Sequence, residues 1–114
     1  MGTTGSIYAE NNNRGVLSLS QEWILHTVVF TLKHEKDSVE EKQFLADGEE
    51  ILSAIPGVSN FRAFRQVSRK NTYDFGFHME FAGQAEYEAY NNHPAHIKFV
   101  QERWLTEVEQ FLEI

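Results

Sequence analysis

The sequence predicts an α+β domain in which helices cover one face of an antiparallel sheet. Three observations support this prediction. β-branched and aromatic residues form a strand-like stretch before residue 34, a helix-capping pattern follows it, and aromatic residues alternate with polar ones before residue 82. The predicted order is strand, helix, strand, strand, helix, helix, strand. This order is typical of a ferredoxin-like fold with a four-stranded antiparallel sheet.

Composition limits the classes of function that the chain can carry. The 114 residues suit one domain, and 9 Phe and 4 Tyr residues predict an aromatic core. A formal net charge of -7, without a long basic run, argues against nucleic acid or a membrane as partner. The sequence has no cysteine, which excludes disulfides and Cys-based zinc sites and is consistent with a cytoplasmic protein. No apolar run approaches the roughly 20 residues of a membrane helix.

The chain divides into a polar N-terminal arm, residues 1–21, and a domain, residues 22–114. Short runs of Thr, Ser, Gly and Asn give the arm little apolar surface to bury. We therefore expect the arm to be partly disordered, with residues 16–19 as a candidate for a short added strand.

The first strand of the domain is predicted over residues 23–33, and it is apolar on both faces. One face carries His26, Val28, Phe30 and Leu32, and the other carries Leu25, Thr27, Val29 and Thr31. A strand with two apolar faces is covered on both sides. The chain's own helices can cover only one of them, so the other face predicts a homodimer.

The first helix is predicted to begin at Ser38 and to end before Pro56-Gly57. Ser38 and Glu41 fit a capping box, in which each side chain satisfies an N–H group at the helix start. Apolar residues continue at helical spacing through Ile55. Gly48 interrupts this apolar stripe, where it permits either close packing on the sheet or space for a ligand.

Two strands joined by a short turn at residues 69–72 are predicted next, over residues 58–68 and 73–81. One face of the later strand carries Tyr73, Phe75, Phe77, Met79 and Phe81. The opposite face carries Asp74, His78 and Glu80. We expect these polar residues to line the dimer interface or to form ion pairs with Arg62 and Arg65. The short turn predicts that the two strands pair as a hairpin.

A helix break is predicted at Pro94, because proline lacks an N–H group and disfavours a helical residue before it. One helix is expected from Gln84 to Asn92, and another begins at Pro94 with Asn92 or His93 as its cap. The break gathers one phenol and two imidazoles between two helices. Residues 109–114 are predicted to form the last strand, with continuation of the helix as the alternative.

Four segments of the sequence carry a resemblance to a known family. They are His-Thr-Val-Val-Phe at 26–30, Ile-Pro-Gly-Val at 55–58, Tyr-Asp-Phe-Gly-Phe at 73–77 and Tyr-Asn-Asn-His-Pro-Ala-His at 90–96. Over about residues 24–114 the chain resembles the stress-responsive A/B barrel (Dabb) family of the dimeric α+β barrel superfamily. The resemblance implies a homodimer whose two sheets form one barrel, and it does not fix a function.

The resemblance also implies a pocket between the sheet and the helices. Plant polyketide cyclases of the family use a histidine and a tyrosine there, which match His96 and Tyr90, and a further pocket histidine matches His26. His96 is thereby predicted to be a general base and Tyr90 a hydrogen-bond donor in cofactor-free cyclase or lyase chemistry. Phe75 stands where the cyclase pocket has another histidine, and Gly48 replaces a tyrosine. The predicted pocket is therefore more apolar.

The predicted ligand-binding residues come from the first strand, the first helix, the third strand and the helix junction. They are His26, Val28, Phe30, Phe44, Gly48, Phe75, Phe77, Met79, Tyr87 and His93. For each histidine a structural role is the alternative. A metal site of His26, His93 and His96 is disfavoured, because the spacing is weak evidence and the third ligand is not established. No metal or other cofactor is predicted.

Two alternatives to cyclase or lyase activity stay open. The first is a non-enzymatic stress-response or ligand-binding protein whose histidines are structural. The second is a monooxygenase-like oxidation, as elsewhere in the superfamily, and it is weakened because the sequence shows no family-specific haem motif. The sequence names neither the ligand nor the pathway.

Overall fold

The computed structural model describes residues 22–114. They form one four-stranded antiparallel sheet with helices on one face, which confirms the predicted α+β, ferredoxin-like architecture. The strands are β1 (Ile24–Leu32), β2 (Ser59–Arg65), β3 (Phe75–Phe81) and β4 (Val108–Glu113). Their order across the sheet is β2-β3-β1-β4. The expectations for residues 1–21 lie outside the described residues.

The predicted ends of the strands were approximately right, but the predicted length of the connection between β2 and β3 was wrong. It spans residues 66–74 rather than a short turn, although the two strands pair as predicted. The predicted final strand is present, and the alternative of a continued helix was wrong. The helix ends before Val108, which has extended backbone angles. No helix within residues 22–114 is long and apolar enough to cross a membrane.

Helix α1 (Val39–Ser53) has the predicted Ser38 cap, with the backbone N–H of Glu41 donating to Ser38 Oγ at 3.1 Å. The second half of the predicted capping box was wrong. Glu41 Oε1 accepts from the backbone N–H of Asp37 at 2.9 Å, because the Ser38 N–H already donates to the Glu35 carbonyl. Asp37 has a φ of 64°, a left-handed conformation that aspartate tolerates at such a turn.

The second helical region consists of α2 (Gln84–Asn92), α3 (Pro94–Phe99), a π-helical turn (Val100–Trp104) and α4 (Leu105–Glu107). His93 separates α2 from α3 with extended backbone angles, and its Nδ1 accepts from the N–H of Ala95 at 3.0 Å. The predicted break and the His93 cap are thus confirmed. The π-helical turn was not predicted. In it the N–H of Leu105 donates to the carbonyl of Val100, five residues earlier.

The core lies between the sheet and the helices. The rings of Phe30, Phe44 and Phe77 are fully buried, and the Phe30 and Phe77 centroids lie 4.9 Å apart. Burying each such side chain stabilises the fold by about 1.5–3 kcal/mol. A Cβ at Gly48 would lie 2.6 Å from Cζ of Phe77, so the glycine permits close packing and opens no space at its own position.

The opposite face of the sheet, called the open face below, has apolar side chains that no described helix covers. Leu25, Leu112 and Ile114 are 61%, 51% and 74% exposed. In the middle of this face, Phe64 lies over Gly76, where a Cβ would come within 2.2 Å of the Phe64 ring. The open face thus exposes apolar side chains that no helix within residues 22–114 covers.

A cluster of polar side chains also lies on the open face, around His78. Its Nδ1 is 2.7 Å from Thr27 Oγ1, and its Nε2 is 2.9 Å from Glu80 Oε2. Asn60 Nδ2 donates to the other oxygen of Glu80 at 2.9 Å. These hydrogen bonds lower the pKa of Glu80, with the His78 bond as the larger cause.

The ion pairs expected with Arg62 and Arg65 are not formed. Asp74 pairs with Lys36 at 3.6 Å, and the guanidinium of Arg65 lies 5.2 Å from the centre of the Phe75 ring. Asp74 directly precedes β3, and its backbone N–H donates to the carbonyl of Phe30 in β1.

Candidate functional site

A cavity of about 270 Å³ lies between the helix-covered face of the sheet and the second helical region. Six of the predicted site residues line it: His26, Val28, Phe77, Met79, Tyr90 and His96. Its size is close to the lower end of the range for small-molecule sites. The cavity can therefore hold a small organic molecule.

The remaining predicted site residues lie outside the cavity wall. Phe30, Phe44, Phe75 and Gly48 are buried in the core. Tyr87 packs its ring against His26 and Phe81, at centroid distances of 5.5 and 5.4 Å. His93 caps α3, in agreement with the structural alternative considered for it.

Tyr90 and His96 meet across the helix break. Their ring centroids are 4.5 Å apart, and Tyr90 is only 2% exposed. Burial raises the pKa of the Tyr90 hydroxyl far above its usual value of 10.0, so the phenol keeps its proton at neutral pH. Within residues 22–114, no side chain or backbone group forms a hydrogen bond with this hydroxyl. It is therefore a buried donor without a partner in the described chain.

The ring orientation of His96 is fixed by the backbone. His96 Nδ1 lies 3.1 Å from the carbonyl oxygen of Asn91, which can only accept, so Nδ1 carries the hydrogen. Nε2 then keeps its lone pair. Burial lowers the pKa of His96, and the Asn91 hydrogen bond and the charge of Glu113 offset this only in part. The imidazole is therefore neutral at pH 7 and able to accept a proton at Nε2.

His26 adds a second imidazole to the cavity wall. It lies on β1 opposite Met79, and its ring centroid is 6.4 Å from that of Tyr90. Burial is the main cause of its lowered pKa, which the charge of Glu113 partly offsets. Residues 22–114 contain no group of three or more His, Cys, Asp or Glu side chains placed to hold a metal ion.

Several wall residues were missed by sequence reasoning. They are Leu52, Asn91, Phe99, Val100, Trp104, Leu105, Phe111 and Glu113. Strand β4 pairs with β1 so that Phe111 lies opposite Phe30 and Glu113 opposite Val28. Side chains alternate along β4, so placing Leu112 and Ile114 on one face places Glu113 on the other. This alternation could have identified Glu113 as a residue of the helix-covered face. The π-helical turn, which brings Val100 and Trp104 to the cavity, gave no signal in the sequence.

A polar network braces this wall from behind. Arg103, in the π-helical turn, donates to Asp47 of α1 at 2.8 Å and also to Glu107 of α4. The other oxygen of Glu107 is 2.7 Å from Nε2 of His34. The network therefore connects the π-helical turn to α1 and to the segment that follows β1.

The fold and the cavity together define a small α+β domain with a pocket edged by histidine and tyrosine. The family model of the stress responsive A/B barrel domain matches residues 24–114. The chain belongs to this family, abbreviated Dabb. A search of curated proteins gave no match.

Solved structures of similar proteins agree with this assignment. A Dabb family protein with a ferredoxin-like fold from Mesorhizobium loti is 61% identical, with a TM-score of 0.80, over 81% of this chain and 92% of that one. A dimeric ferredoxin-like protein of unknown function from Bacteroides fragilis is 20% identical, with a TM-score of 0.60 and coverages of 81% and 92%. The hydroxynitrile lyase of Passiflora edulis is 15% identical, with a TM-score of 0.71 and coverages of 82% and 91%. The last two likenesses show the fold alone.

Proposed function

We propose that this Dabb-domain protein is a homodimer that binds a small organic molecule in the cavity and acts on it without a cofactor. His96 is the proposed general base, and Tyr90 is the proposed hydrogen-bond donor. The observation that carries the proposal is the meeting of these two rings, 4.5 Å apart, at an otherwise largely apolar cavity.

The chemistry follows from the protonation states of the two groups. Nε2 of His96 takes a proton from a carbon next to a carbonyl, and the Tyr90 hydroxyl donates to the carbonyl oxygen as negative charge develops. The resulting enolate carbon forms a bond to a second carbonyl carbon of the same molecule. The alkoxide so formed takes the proton back from His96. The step consumes no oxidant and releases no other group.

The proposal of a homodimer rests on the open face. Leu25, Leu112 and Ile114 would be covered by the same face of a second copy, which is the usual arrangement for a symmetric dimer. The structural neighbour from Bacteroides fragilis is described as dimeric. The expected assembly has twice the 13.2 kDa mass of the chain.

Lyase chemistry is compatible with this fold, because the Passiflora edulis neighbour is a hydroxynitrile lyase. At 15% identity its substrate is not transferred to this chain. Support for catalysis therefore comes from the arrangement of His96, Asn91 and Tyr90 within the chain itself.

Ligand binding without catalysis is the second candidate. It is favoured by the hydrogen bond between His96 Nδ1 and the Asn91 carbonyl, which also satisfies a backbone acceptor at the end of α2. In that case His96 braces the helix junction, and the cavity only holds a molecule.

One experiment distinguishes the two candidates. Native mass spectrometry of the untagged protein identifies the molecule that co-purifies, and its turnover is compared between the wild type, His96→Gln and the control Tyr87→Phe, which alters a ring outside the cavity wall. For base catalysis, we expect His96→Gln to lower turnover by about 10²- to 10⁴-fold while binding persists. Unchanged turnover in His96→Gln would reject the base assignment. Binding without turnover by the wild type would favour the second candidate.

A further inference from the structure

The electrostatic character of the cavity depends on one side chain. Among the described residues that line it, Glu113 is the only one with a formal charge at neutral pH. The others are apolar or neutral, since burial lowers the pKa of both imidazoles and raises that of the Tyr90 phenol. The wall thus holds one negative charge and no positive charge to balance it.

The strand register places Glu113 on the same side of the sheet as the reactive groups. It lies opposite Val28 in the β1–β4 ladder, and Val28 is two residues from His26 along the same face of β1. The Glu113 charge also raises the pKa of His26, Tyr90 and His96, as a carboxylate must when it stabilises imidazolium and disfavours phenolate. Its field therefore extends across the polar part of the cavity.

We infer that Glu113 selects the ligand by charge: the cavity takes an uncharged or cationic molecule with a hydroxyl or amine donor, and it disfavours a carboxylate. This inference rests on the proposed ligand-binding function. A carboxylate ligand would face Glu113 in a largely apolar cavity, where repulsion between like charges is weakly screened. A neutral imidazole carries no positive charge that would balance the two negative ones. A hydroxyl or ammonium group could instead donate to Glu113.

The effect should be moderate, because Glu113 is at the exposed rim of the cavity. Solvent screening reduces such interactions, and salt reduces them further. We expect about three- to tenfold discrimination at low ionic strength, which shrinks as salt is added.

Three probes that share the naphthalene ring and differ in the charge of one small substituent test the inference: naphthalene-2-methanol, 2-naphthoate and 2-naphthylmethylammonium. Their affinities are measured by calorimetry at neutral pH and low salt for the wild type and Glu113→Gln, which removes the charge and keeps the size. In Glu113→Gln, 2-naphthoate should bind about three- to tenfold more tightly and the ammonium correspondingly more weakly. The alcohol should change little. Glu109→Gln is the matched control, because Glu109 is exposed on the same strand and does not line the cavity.

The outcomes separate this inference from the function on which it rests. If the alcohol binds and Glu113→Gln leaves the alcohol-to-naphthoate affinity ratio unchanged, the role of Glu113 is refuted and the pocket remains. An equal change in Glu109→Gln would also refute it, because the effect would then come from net charge alone. If none of the three probes binds the wild type, ligand binding by the cavity fails, and the selection by Glu113 fails with it.

Discussion

Tyr90 and His96 lie on opposite sides of a helix break, and yet their ring centroids are only 4.5 Å apart. In an unbroken helix, residues six apart point in clearly different directions. The extended backbone of His93 turns the chain between them, and Pro94 starts α3 in a new direction. The local sequence around Pro94 therefore creates the contact on which the proposed chemistry depends.

The first prediction concerns the protonation of His96. Because burial is the main cause of its lowered pKa, its titration midpoint should fall below 6.5. Glu113→Gln should lower the midpoint further, since a charge that favours imidazolium is removed. Titration of the imidazole signals by NMR measures both effects, with Glu109→Gln as the control. A midpoint that rises in Glu113→Gln would contradict the arrangement described for the cavity.

The second prediction concerns stability on acidification. His26 and His96 have lower pKa values in the fold than when unfolded, so the unfolded chain binds more protons just below pH 6.5. The free energy of unfolding should therefore decrease as pH falls from about 6.5 through the folded pKa values. Denaturant unfolding at fixed protein concentration measures this slope, which should flatten in the His26→Gln/His96→Gln double variant.

Carboxylates contribute to the pH dependence of unfolding only at a lower pH than the two histidines. The pKa values of Asp47, Glu80 and Glu107 are also lowered in the fold, but their ordinary values lie between 3.8 and 4.5. Their contributions are lost only as pH falls below that range and through the folded values. An equally steep slope above pH 5 in the double variant would show that other groups cause the loss.

The third prediction concerns Gly48. In Gly48→Ala the new Cβ would meet the Phe77 ring at 2.6 Å, and that ring is fully buried and cannot move freely. Overpacking of this kind costs about 1–3 kcal/mol, against a gain of up to about 1 kcal/mol in helix propensity. We expect a net loss of about 1 kcal/mol in the free energy of unfolding. Glu49→Ala, at the next and exposed position of α1, should show no such loss.

The fourth prediction concerns assembly. Leu112→Glu places a charge on the open face, where the proposed second copy would bury it, so the variant should lose dimers. Native mass spectrometry or light scattering should then give 13.2 kDa at micromolar concentration. Val39→Glu is the control, because Val39 is 77% exposed at the start of α1, away from that face. A wild type that is already a monomer would refute the proposed homodimer.

The sequence was informative wherever one local rule decided the structure. Proline chemistry located the break at Pro94, side-chain alternation identified β3, and the Ser38 cap located the start of α1. The sequence was less informative where two hydrogen-bond acceptors compete for the same backbone N–H group. The N–H of Ser38 donates to Glu35, so Glu41 turns to Asp37 instead, and the capping pattern alone cannot reveal that choice.

The candidate site was predicted only in part for a related reason. His26, Tyr90 and His96 were identified as pocket residues through the family resemblance, and the structure brings all three to one cavity. Glu113 was missed, because the face that β4 presents matters only once its register with β1 is known. Phe30 and Phe44 were expected at the cavity, but they lie in the core. The spacing of apolar residues shows which face of a strand or helix is buried, but it does not show which residues on that face border a cavity.

The π-helical turn at Val100–Trp104 carries a consequence for the gene as well as for the fold. Such a turn holds one residue more than an α-helical turn. Deleting one codon within it would let the segment wind as a regular α-helix, and the residues that follow would keep nearly the faces that they present now, because the wide turn already absorbs the extra residue. Deleting a codon from α3 instead would rotate the residues that follow by roughly 100° and take Trp104 away from Phe111, so the π-helical turn decides where in this region a change of length alters the shape of the cavity.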